Sequence, residues 1–580
     1  MRIATLGIIL ALAPFSVIGQ MPAERSIRPP RLFKDSRQQL AIARAQERRD
    51  ITLVVAAVMG KTAAAARDAS RWGGVVRYRD DEVGYLRVRI PLDTATAFSE
   101  SSSLEAAAAD EDDSYPVRLS SHNGDLQSEQ WPPIPSDYPL RHPYSVIEDL
   151  GASGFGNTGT YDGRGVTIAL LDGNIDPLIP EFKTACALDG TRIPKVADYL
   201  NVTDPRDDAE LNPQWVDMRT EVDGSIGPVS YQGRNFTVPR IGHYRIGLFD
   251  ERRFNDPANG AYLDQDVDRD GNPKGDDGLF GVLWDERTND VWVDTNRDGS
   301  FADEHALTDY AKRQEFGVFG KDDPGTPERE SIAFAVQTDS ANKFVSINVG
   351  IYQHASEIMG SAVANREPHG RFSGVAPGAR VVSMFYGVGI THAAIEGMIR
   401  AFRHPLVDLI VFEQNVNMAS TPYLLADAHH PISVIAQRLT ERYQKLMFVP
   451  CGNAPGLGIA QEDGGAPGVL CVGAYQSQDS YLTNVGYRLE GRDHFQWGGL
   501  THGPANNGAL KPDLLAPSGQ LSTDVAYRKG ASNKGLYRLP PGYSIASGTS
   551  TAAPMAAAAT ALIVSAAKQR GLKYDAAHLN

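Results

Sequence analysis

The sequence predicts an α/β protein whose main domain contains a doubly wound, mostly parallel sheet, with a β-rich insertion and a small α/β module ahead of it. Two observations support this prediction. From about residue 144 onward, continuous apolar, β-branched runs alternate with helix-like segments, which is typical of parallel strands buried on both faces. Between about residues 190 and 345 the alternation gives way to hairpin-like segments rich in Asp, Gly, Asn and Arg, which indicates an insertion.

Residues 1–19 are typical of a secretory signal peptide. Arg2 precedes an apolar run that is too short for a stable membrane span, and a plausible cleavage point lies at Gln20. We therefore expect a secreted protein, extracellular or periplasmic, rather than one with a retained anchor. No interior run predicts a membrane span. The net charge of −15 argues against nucleic acid as the main partner.

Residues 20–143 are predicted to contain a compact α/β module and a linker. The predicted elements are strands at 51–57, 74–79 and 83–90 and helices at 61–72 and 93–109. An acidic patch at 110–113 and the Pro-rich residues 131–135 then separate the module from the main domain, residues 144–580.

The main domain has five apolar runs that predict core strands. They lie at 166–171, 380–385, 409–412, 445–449 and 469–472. Because function gathers at the carboxyl ends of parallel strands, the residues after these runs are candidates for a site. Asp172 follows the first run, where an acid can orient an imidazole, and Asn453 follows the fourth, where its amide can donate to an oxyanion. Each could instead be a turn residue.

A serine is predicted on the first turn of an apolar helix near the end of the chain, in the segment Ser547–Pro554. A helix start offers free backbone N–H groups and the positive end of the helix dipole. Ser550 could therefore attack a carbonyl group while its own N–H faces the resulting oxyanion. The alternative is a serine that caps a core helix.

Two histidines are candidates for the base. His369 lies a few residues before a turn that leads into the next strand, whereas His354 begins a helix of small residues that can pack tightly on the sheet. A position at a helix start is expected to lower the pKa of the imidazole, which suits a neutral base near pH 7. We therefore prefer His354.

Together these motifs resemble the subtilisin-like serine peptidases, which share the chain order Asp, His, Ser. The matching segments are Gly165–Asp176, His354–Ala364, Gly374–Gly378, Cys451–Asn453, Lys511–Pro517 and Ser547–Pro554. The resemblance implies a subtilisin-like fold over residues 144–580 that acts on proteins or peptides. It implies that Ser550 is the nucleophile, His354 the base, Asp172 the orienting carboxylate and Asn453 an oxyanion donor. It also implies that the N-terminal module is a propeptide, which inhibits the enzyme of its own chain until removed.

The long insertion between Asp172 and His354 resembles the tripeptidyl-peptidase II branch, which binds a substrate amino terminus through paired glutamates. Ala393 and Val416 occupy those positions here, with Glu396 and Glu413 nearby. We therefore expect an endopeptidase, with a tripeptidyl-peptidase-like exopeptidase as the alternative.

Three segments depart from the family pattern beside the expected site. They are Gly173-Asn174 after the acid, His354-Ala355-Ser356-Glu357 in place of His-Gly-Thr-His, and Glu413-Gln414-Asn415 in place of the Ser-Leu-Gly that lines the main specificity pocket. These departures leave a third hypothesis open, a catalytically inactive scaffold that binds calcium or a partner through its acidic insertion.

Two loops in the insertion resemble EF-hand calcium loops, in which oxygen ligands converge around a sharp turn. The candidate ligands are Asp266, Asp268, Asp270 and Asp277 in the first loop and Asp294, Asn296 and Asp298 in the second. In the second loop His305 occupies the last ligand position, so Asp303 or Glu304 would have to serve. A structural Ca²⁺ is expected; the alternative is a pair of Asx-turn hairpins.

Overall fold

A computed structural model describes most of the chain. The described residues are 32–33, 36–110, 150–152, 155, 161–225, 227–255, 278–325, 329, 331–350, 353–387, 390–413, 428–453, 455–457, 463–485, 494–505, 507–525, 539, 541–575 and 579. The predicted signal peptide at 1–19, most of the linker and the first calcium loop (266–277) lie outside these residues.

Residues 36–110 form a four-stranded antiparallel sheet with strand order β2-β3-β1-β4 and three helices. Its elements are α1 Ser36–Ala45, β1 Asp50–Ala57, α2 Thr62–Arg71, β2 Val75–Asp80, β3 Tyr85–Pro91, α3 Ala95–Ser99 and β4 Leu104–Ala109. The helix predicted over 93–109 is wrong in its second half, because Leu104–Ala109 pairs with β1. Alanine favours a helix in isolation, but burial against β1 outweighs that weak preference.

The segment 161–350 supplies two strands to the core sheet and contains the β-rich insertion. Its elements are β5 Thr167–Asp172, β6 Thr184–Cys186, β7 Arg192–Pro194, β8 Val196–Asn201, α4 Pro205–Asp208, β9 Trp215–Asp217, β10 Thr220–Asp223, β11 Val229–Tyr231, β12 Arg234–Phe236, β13 His243–Asp250, β14 Leu279–Asp285, β15 Asp290–Val293, α5 Tyr310–Arg313, β16 Gly317–Phe319, β17 Ile332–Asp339 and β18 Phe344–Val349, with 3₁₀ turns at Pro180–Phe182 and Glu251–Asn255.

The rest of the chain alternates between strands and helices, as the sequence predicts. Its elements are α6 Gln353–Val363, β19 Arg380–Phe385, α7 Thr391–Arg403, β20 Leu409–Phe412, α8 Pro431–Tyr443, β21 Met447–Pro450, β22 Gly456–Leu457, β23 Val469–Ser477, α9 Gln478–Val485, β24 His494–Gln496, β25 Thr501–His502, β26 Leu514–Pro517, β27 Gln520–Thr523, β28 Tyr543–Ala546 and α10 Thr549–Gln569, with a 3₁₀ turn at Asp463–Gly465.

The core is an eight-stranded sheet with order β24-β23-β21-β20-β5-β19-β8, in which β26 also pairs with β23. All its pairings are parallel except that of β23 with β24. All five predicted runs are strands of this sheet. Alternate residues of β5 face two different cores: one contains α6 and α10, and the other contains α7, α8 and the N-terminal module. The predicted doubly wound α/β fold is therefore confirmed.

The insertion is β-rich, as predicted, and forms two four-stranded sheets, β10-β13-β14-β15 and β16-β17-β18-β9. The expected start of the insertion near residue 190 is too early, because β8 is an edge strand of the main sheet beside β19. The inserted sheets therefore begin after Asn201 and extend through β18.

Among the described residues, α10 is long and apolar enough to cross a membrane, which the sequence analysis did not anticipate. Most of this helix is buried in the protein core. The central helix of a folded domain can meet the same criterion.

The N-terminal module packs its sheet on α7 and α8 around a cluster of buried charges. Arg87, only 1 % exposed, contacts Asp204 at 2.5 Å, Glu396 on α7 at 3.2 Å and Asp207 at 3.3 Å. His392 at the start of α7 contacts Asp110 at 2.6 Å, at the end of the module. Arg87 therefore neutralises carboxylates that docking of the module removes from water.

We expect Arg87→Met in the full chain to lower the free energy of unfolding by about 3–5 kcal/mol, because it leaves buried carboxylates without their counter-ion. Arg89→Met is the matched control, since Arg89 lies on the same strand but its side chain is 62 % exposed in its ion pair with Asp50. Calorimetric unfolding measures both variants. Equal small effects of the two substitutions would show that the buried cluster does not stabilise the docked module.

Candidate active site

Three neighbouring strands end at one edge of the core sheet and present polar side chains there. The order β21-β20-β5 is parallel, so the carboxyl ends of these strands lie side by side. Asp172 is the last residue of β5, Glu413 follows β20, and Asn453 lies three residues after β21. The edge thus gathers two carboxylates and an amide.

Asp172 and His354 are in direct contact. His354 is the second residue of α6, and its Nδ1 lies 2.6 Å from Oδ2 of Asp172. Because a carboxylate only accepts hydrogen bonds, Nδ1 carries the proton, and Nε2 of a neutral imidazole is left as the acceptor. The Asp172 side chain is 9 % exposed and that of His354 is 49 % exposed, so the acid is shielded and the base is accessible.

The expectation that the helix start lowers the pKa of His354 is wrong. Desolvation does lower it, but the Asp172 carboxylate outweighs this through its charge and its hydrogen bond. Glu413 and Glu357 add to the effect, and together they raise the pKa of His354 to about 9. Nearby negative charge favours the imidazolium more strongly than a helix terminus disfavours it.

Sequence analysis did not place Glu413 beside the predicted acid and base. One oxygen of Glu413, one oxygen of Asp172 and one ring nitrogen of His354 lie within 4.8 Å of one another. The signal was present in the sequence, because two runs predicted to be parallel core strands, 166–171 and 409–412, are each followed by an acid. Only the pairing of β20 with β5 in this register shows that the two acids are neighbours.

Ser550 lies in the first turn of α10, as predicted. Gly548 precedes this helix with φ +117°, a conformation that side-chain-bearing residues rarely adopt. The N–H of Ser550 is one of the first four of the helix, which have no carbonyl partner one turn earlier. It therefore remains available to a ligand at the helix terminus.

Asn453 lies against this helix start. Its Oδ1 accepts from the backbone N–H of Thr549 at 2.9 Å and from the Thr549 hydroxyl at 2.8 Å. The buried Thr549 hydroxyl also accepts from the Gly452 N–H at 3.2 Å. These contacts identify the amide oxygen and leave Nδ2 of Asn453 as a donor. Thr549 is a positioning residue that sequence analysis missed.

Helices α6 and α10 pack against each other, which brings the predicted base and nucleophile to the same side of the sheet. Within the part of the chain that the structure describes, no hydrogen bond joins Ser550 to His354. Such bonds are often long before a substrate binds. The structure therefore shows two separate contacts, one between Asp172 and His354 and one between Asn453 and the start of α10.

Two of the departures from the family pattern make structural contacts. The buried Asn174 donates to Gln214 Oε1 at 2.7 Å, in the loop that precedes β9, and so ties the turn after Asp172 to the insertion. The Ser356 hydroxyl accepts from the Asp176 N–H at 3.1 Å. These contacts fix the turn after Asp172 and tie it to the first turn of α6.

The second predicted calcium loop is described. Asp294 is 2 % exposed, and its Oδ2 accepts from the Gly299 N–H at 3.1 Å, while its Oδ1 has no hydrogen-bond partner among the described residues. Asn296 Nδ2 lies 3.2 Å from Asp298 Oδ2 and 3.3 Å from Asp303 Oδ2. Burial raises the pKa of Asp294, and the neighbouring Asp298 charge adds to this. The buried, partnerless Oδ1 of Asp294 is the feature of this loop that fits a hard cation.

Comparison with known relatives supports the predicted family. Pyrolysin from Pyrococcus furiosus is 25 % identical in an alignment that covers 91 % of this chain and 39 % of pyrolysin. Tripeptidyl-peptidase 2 from Arabidopsis thaliana is 28 % identical over 290 residues, which cover 47 % of this chain and 19 % of that protein. The chain therefore spans well under half the length of these relatives.

Two solved structures are similar to this chain. The crystal structure of tripeptidyl peptidase 2 aligns with a TM-score of 0.48 and 17 % identity over 73 % of this chain and 34 % of that one. Fervidolysin from Fervidobacterium pennivorans aligns with a TM-score of 0.41 and 12 % identity over 89 % of this chain and 54 % of that one. The model of the subtilase family matches residues 163–578, which include every described residue of the candidate site. The chain belongs to the subtilase family of serine peptidases.

Proposed function

We propose that this chain is a secreted serine endopeptidase that hydrolyses peptide bonds through an acyl-enzyme. Ser550 is the nucleophile, His354 the base and Asp172 the carboxylate that orients it. The observation that supports this proposal best is the 2.6 Å contact between Asp172 and His354, formed between a core strand and the helix that packs on α10. Secretion is proposed from residues 1–19 alone.

The proposed reaction has two stages. In the first, Nε2 of His354 takes the hydroxyl proton of Ser550 as Oγ attacks the peptide carbonyl carbon, and the imidazolium then gives that proton to the leaving amine. In the second, His354 takes a proton from water, whose oxygen attacks the acyl ester; the acid product leaves and Ser550 recovers its proton. Each stage passes through an oxyanion, which the Ser550 N–H and Nδ2 of Asn453 would stabilise as hydrogen-bond donors.

Endopeptidase activity is preferred over tripeptidyl-peptidase activity because Ala393 and Val416 occupy the two positions where the resemblance implies paired glutamates. An exopeptidase of that type needs carboxylates that face the amino terminus of a substrate. The nearby Glu396 is 1 % exposed and contacts Arg87 of the N-terminal module. The second expected position, Val416, lies outside the described residues.

Replacing the nucleophile tests the proposal. We expect Ser550→Ala to lower kcat/KM by more than about 10³-fold on a peptide with an acetylated amino terminus, because no acyl-enzyme can form. Ser547→Ala is the matched control, an exposed serine three residues earlier, and is expected to retain activity. Equal loss in both variants, or turnover that survives Ser550→Ala, would refute the assignment. Cleavage only of peptides with a free amino terminus would favour the exopeptidase.

The N-terminal module is proposed to act as an inhibitory propeptide. In a parallel sheet, a helix that follows a strand begins at the strand's carboxyl end, so His392 marks the edge where the candidate site lies. Because Asp110 contacts His392, the chain leaves the module at that edge. If maturation is self-cleavage, the Ser550→Ala protein keeps the module attached, which intact-mass measurement detects.

The raised pKa of His354 predicts an alkaline enzyme. Only the neutral imidazole accepts the serine proton, so kcat/KM is expected to rise about tenfold per pH unit up to a pKa of about 9 and then to level off. The Asp172–imidazolium pair correspondingly stabilises the folded protein below about pH 6.5 and loses that effect as the pH rises through about 9. A pH–rate profile on an uncharged peptide checks this; a profile already flat at pH 7 would contradict it.

A structural Ca²⁺ in the second loop is also proposed. Asp294, Asn296 and Asp298 would supply oxygen ligands, and the partnerless Oδ1 of Asp294 is the observation in favour. No catalytic step depends on this ion, which would hold the loop after β15 in place.

After chelator treatment, added Ca²⁺ is expected to raise Tm. At a hundredfold excess over Kd, it should increase the free energy of unfolding by about 2.7 kcal/mol. Asp294→Asn should abolish the part of the shift that comes from this loop, whereas Asp266→Asn reports on the first loop. Asp223→Asn, at an exposed residue that ends β10 in the same insertion, is the control. No heat of binding and no Tm shift in the unmodified protein would exclude the ion from both loops.

A further inference from the structure

We propose that Glu413 is a positioning residue of the site, a second carboxylate that stabilises the His354 imidazolium formed when the serine proton is transferred. This inference rests on the proposed function, because it assigns Glu413 a role in the same proton transfer. The family usually has an uncharged serine at this position, so the carboxylate distinguishes this chain.

The backbone fixes Glu413 beside Asp172. Leu171 on β5 lies opposite Phe412 on β20, and the two acids are the next residues along these parallel strands. The Glu413 N–H donates to Leu171 O at 3.1 Å, and the buried Tyr386 hydroxyl donates to Glu413 O at 2.6 Å. Glu413 is thus held by β5 and by Tyr386, the residue after β19, which is the next strand beyond β5.

The side chain lies at charge–charge distance from the imidazole. Glu413 is only 4 % exposed, and its carboxylate shares the 4.8 Å cluster with Asp172 and His354. Two shielded carboxylates this close repel each other unless a positive charge lies beside them. The imidazolium supplies that charge, so the cluster is more stable after proton transfer than before it.

Among the described residues, three carboxylates on the elements packed around His354 raise its pKa. They are Asp172 from β5, Glu413 from β20 and Glu357 from its own helix. Glu357 is also bound by the Ser544 hydroxyl at 2.8 Å and has a smaller effect on the pKa of His354 than Glu413. It therefore provides a matched comparison, the same charge change next to the same imidazole.

The second carboxylate has opposite consequences at low and high pH. It keeps more of His354 protonated at neutral pH, which reduces the fraction of active base. At high pH it makes the imidazole a stronger base and stabilises the charge that develops in the transition state. Because that charge is only partly developed there, removing Glu413 should lower the plateau rate by a smaller factor than it increases the neutral fraction.

The test compares pH profiles of kcat/KM for the unmodified enzyme, Glu413→Gln and Glu357→Gln, on an uncharged acetylated peptide. An opposite charge at this distance shifts a pKa by about 1–3 units. For Glu413→Gln we expect the rising limb of the kcat/KM profile to shift to lower pH by at least about one unit. The plateau of kcat/KM at high pH should fall by less than about tenfold. The two profiles should then cross, and Glu357→Gln should shift less.

An unchanged limb in Glu413→Gln, or the same fold-loss at every pH, would overturn the inference in favour of a packing role. Glu413→Ser, with the residue usual in the family, is the second variant if the glutamine variant does not fold. The His354 ring signal in Ser550→Ala, with and without Glu413→Gln, gives the same pKa difference by NMR without turnover. Folded wild-type protein that stays inactive after removal of its N-terminal module would refute the proposed function, whereas an unchanged NMR pKa of His354 in Glu413→Gln would refute this inference.

Discussion

The hydrogen bond between Asp172 and His354 is the contact on which the rest of the site depends, because it joins the core sheet to helix α6. The surrounding structure holds this helix in place. At its carboxyl end the buried ammonium of Lys195 donates to Val363 O at 2.7 Å. Along its side Gly360 lies so close to β27 that an added Cβ would approach the Thr523 hydroxyl to 2.3 Å. The imidazole is therefore oriented by tight packing as much as by its carboxylate.

The insertion is connected to the site rather than appended to the domain. The turn after Asp172 is bonded to Gln214 through Asn174, and Asp176, four residues after the acid, is buried in an ion pair with Arg329. A change in the inserted sheets can therefore alter the position of the acid. Gly173-Asn174 departs from the family pattern because the turn after Asp172 is anchored on the insertion, through the bond from Asn174 to Gln214.

The sequence was sufficient for the fold, because long apolar runs and their flanking residues are local signals. The contact of Asp172 with His354 was implied by the resemblance to the subtilisin-like peptidases. The sequence was insufficient where the outcome depends on how strands align. The pKa of His354 was predicted in the wrong direction because the charge and hydrogen bond of Asp172 raise it more than burial at the helix start lowers it. Glu413 adds to this effect, and its position depends on the register of β20 beside β5. Likewise, the alanines of β4 form a strand only because β1 is available to pair with them. The contact of Thr549 with Asn453 could not be predicted either, because it joins residues 96 positions apart in the sequence.

The central claim is that Ser550, activated by the Asp172–His354 pair, attacks carbonyl carbon. The most direct measurement is labelling of folded, processed protein with a fluorophosphonate probe, followed by peptide mapping of the adduct across a range of pH. The account predicts a single adduct on Ser550, formed at a rate that rises with pH to about 9. An adduct on another residue, or no adduct on folded protein freed of its N-terminal module, would contradict it.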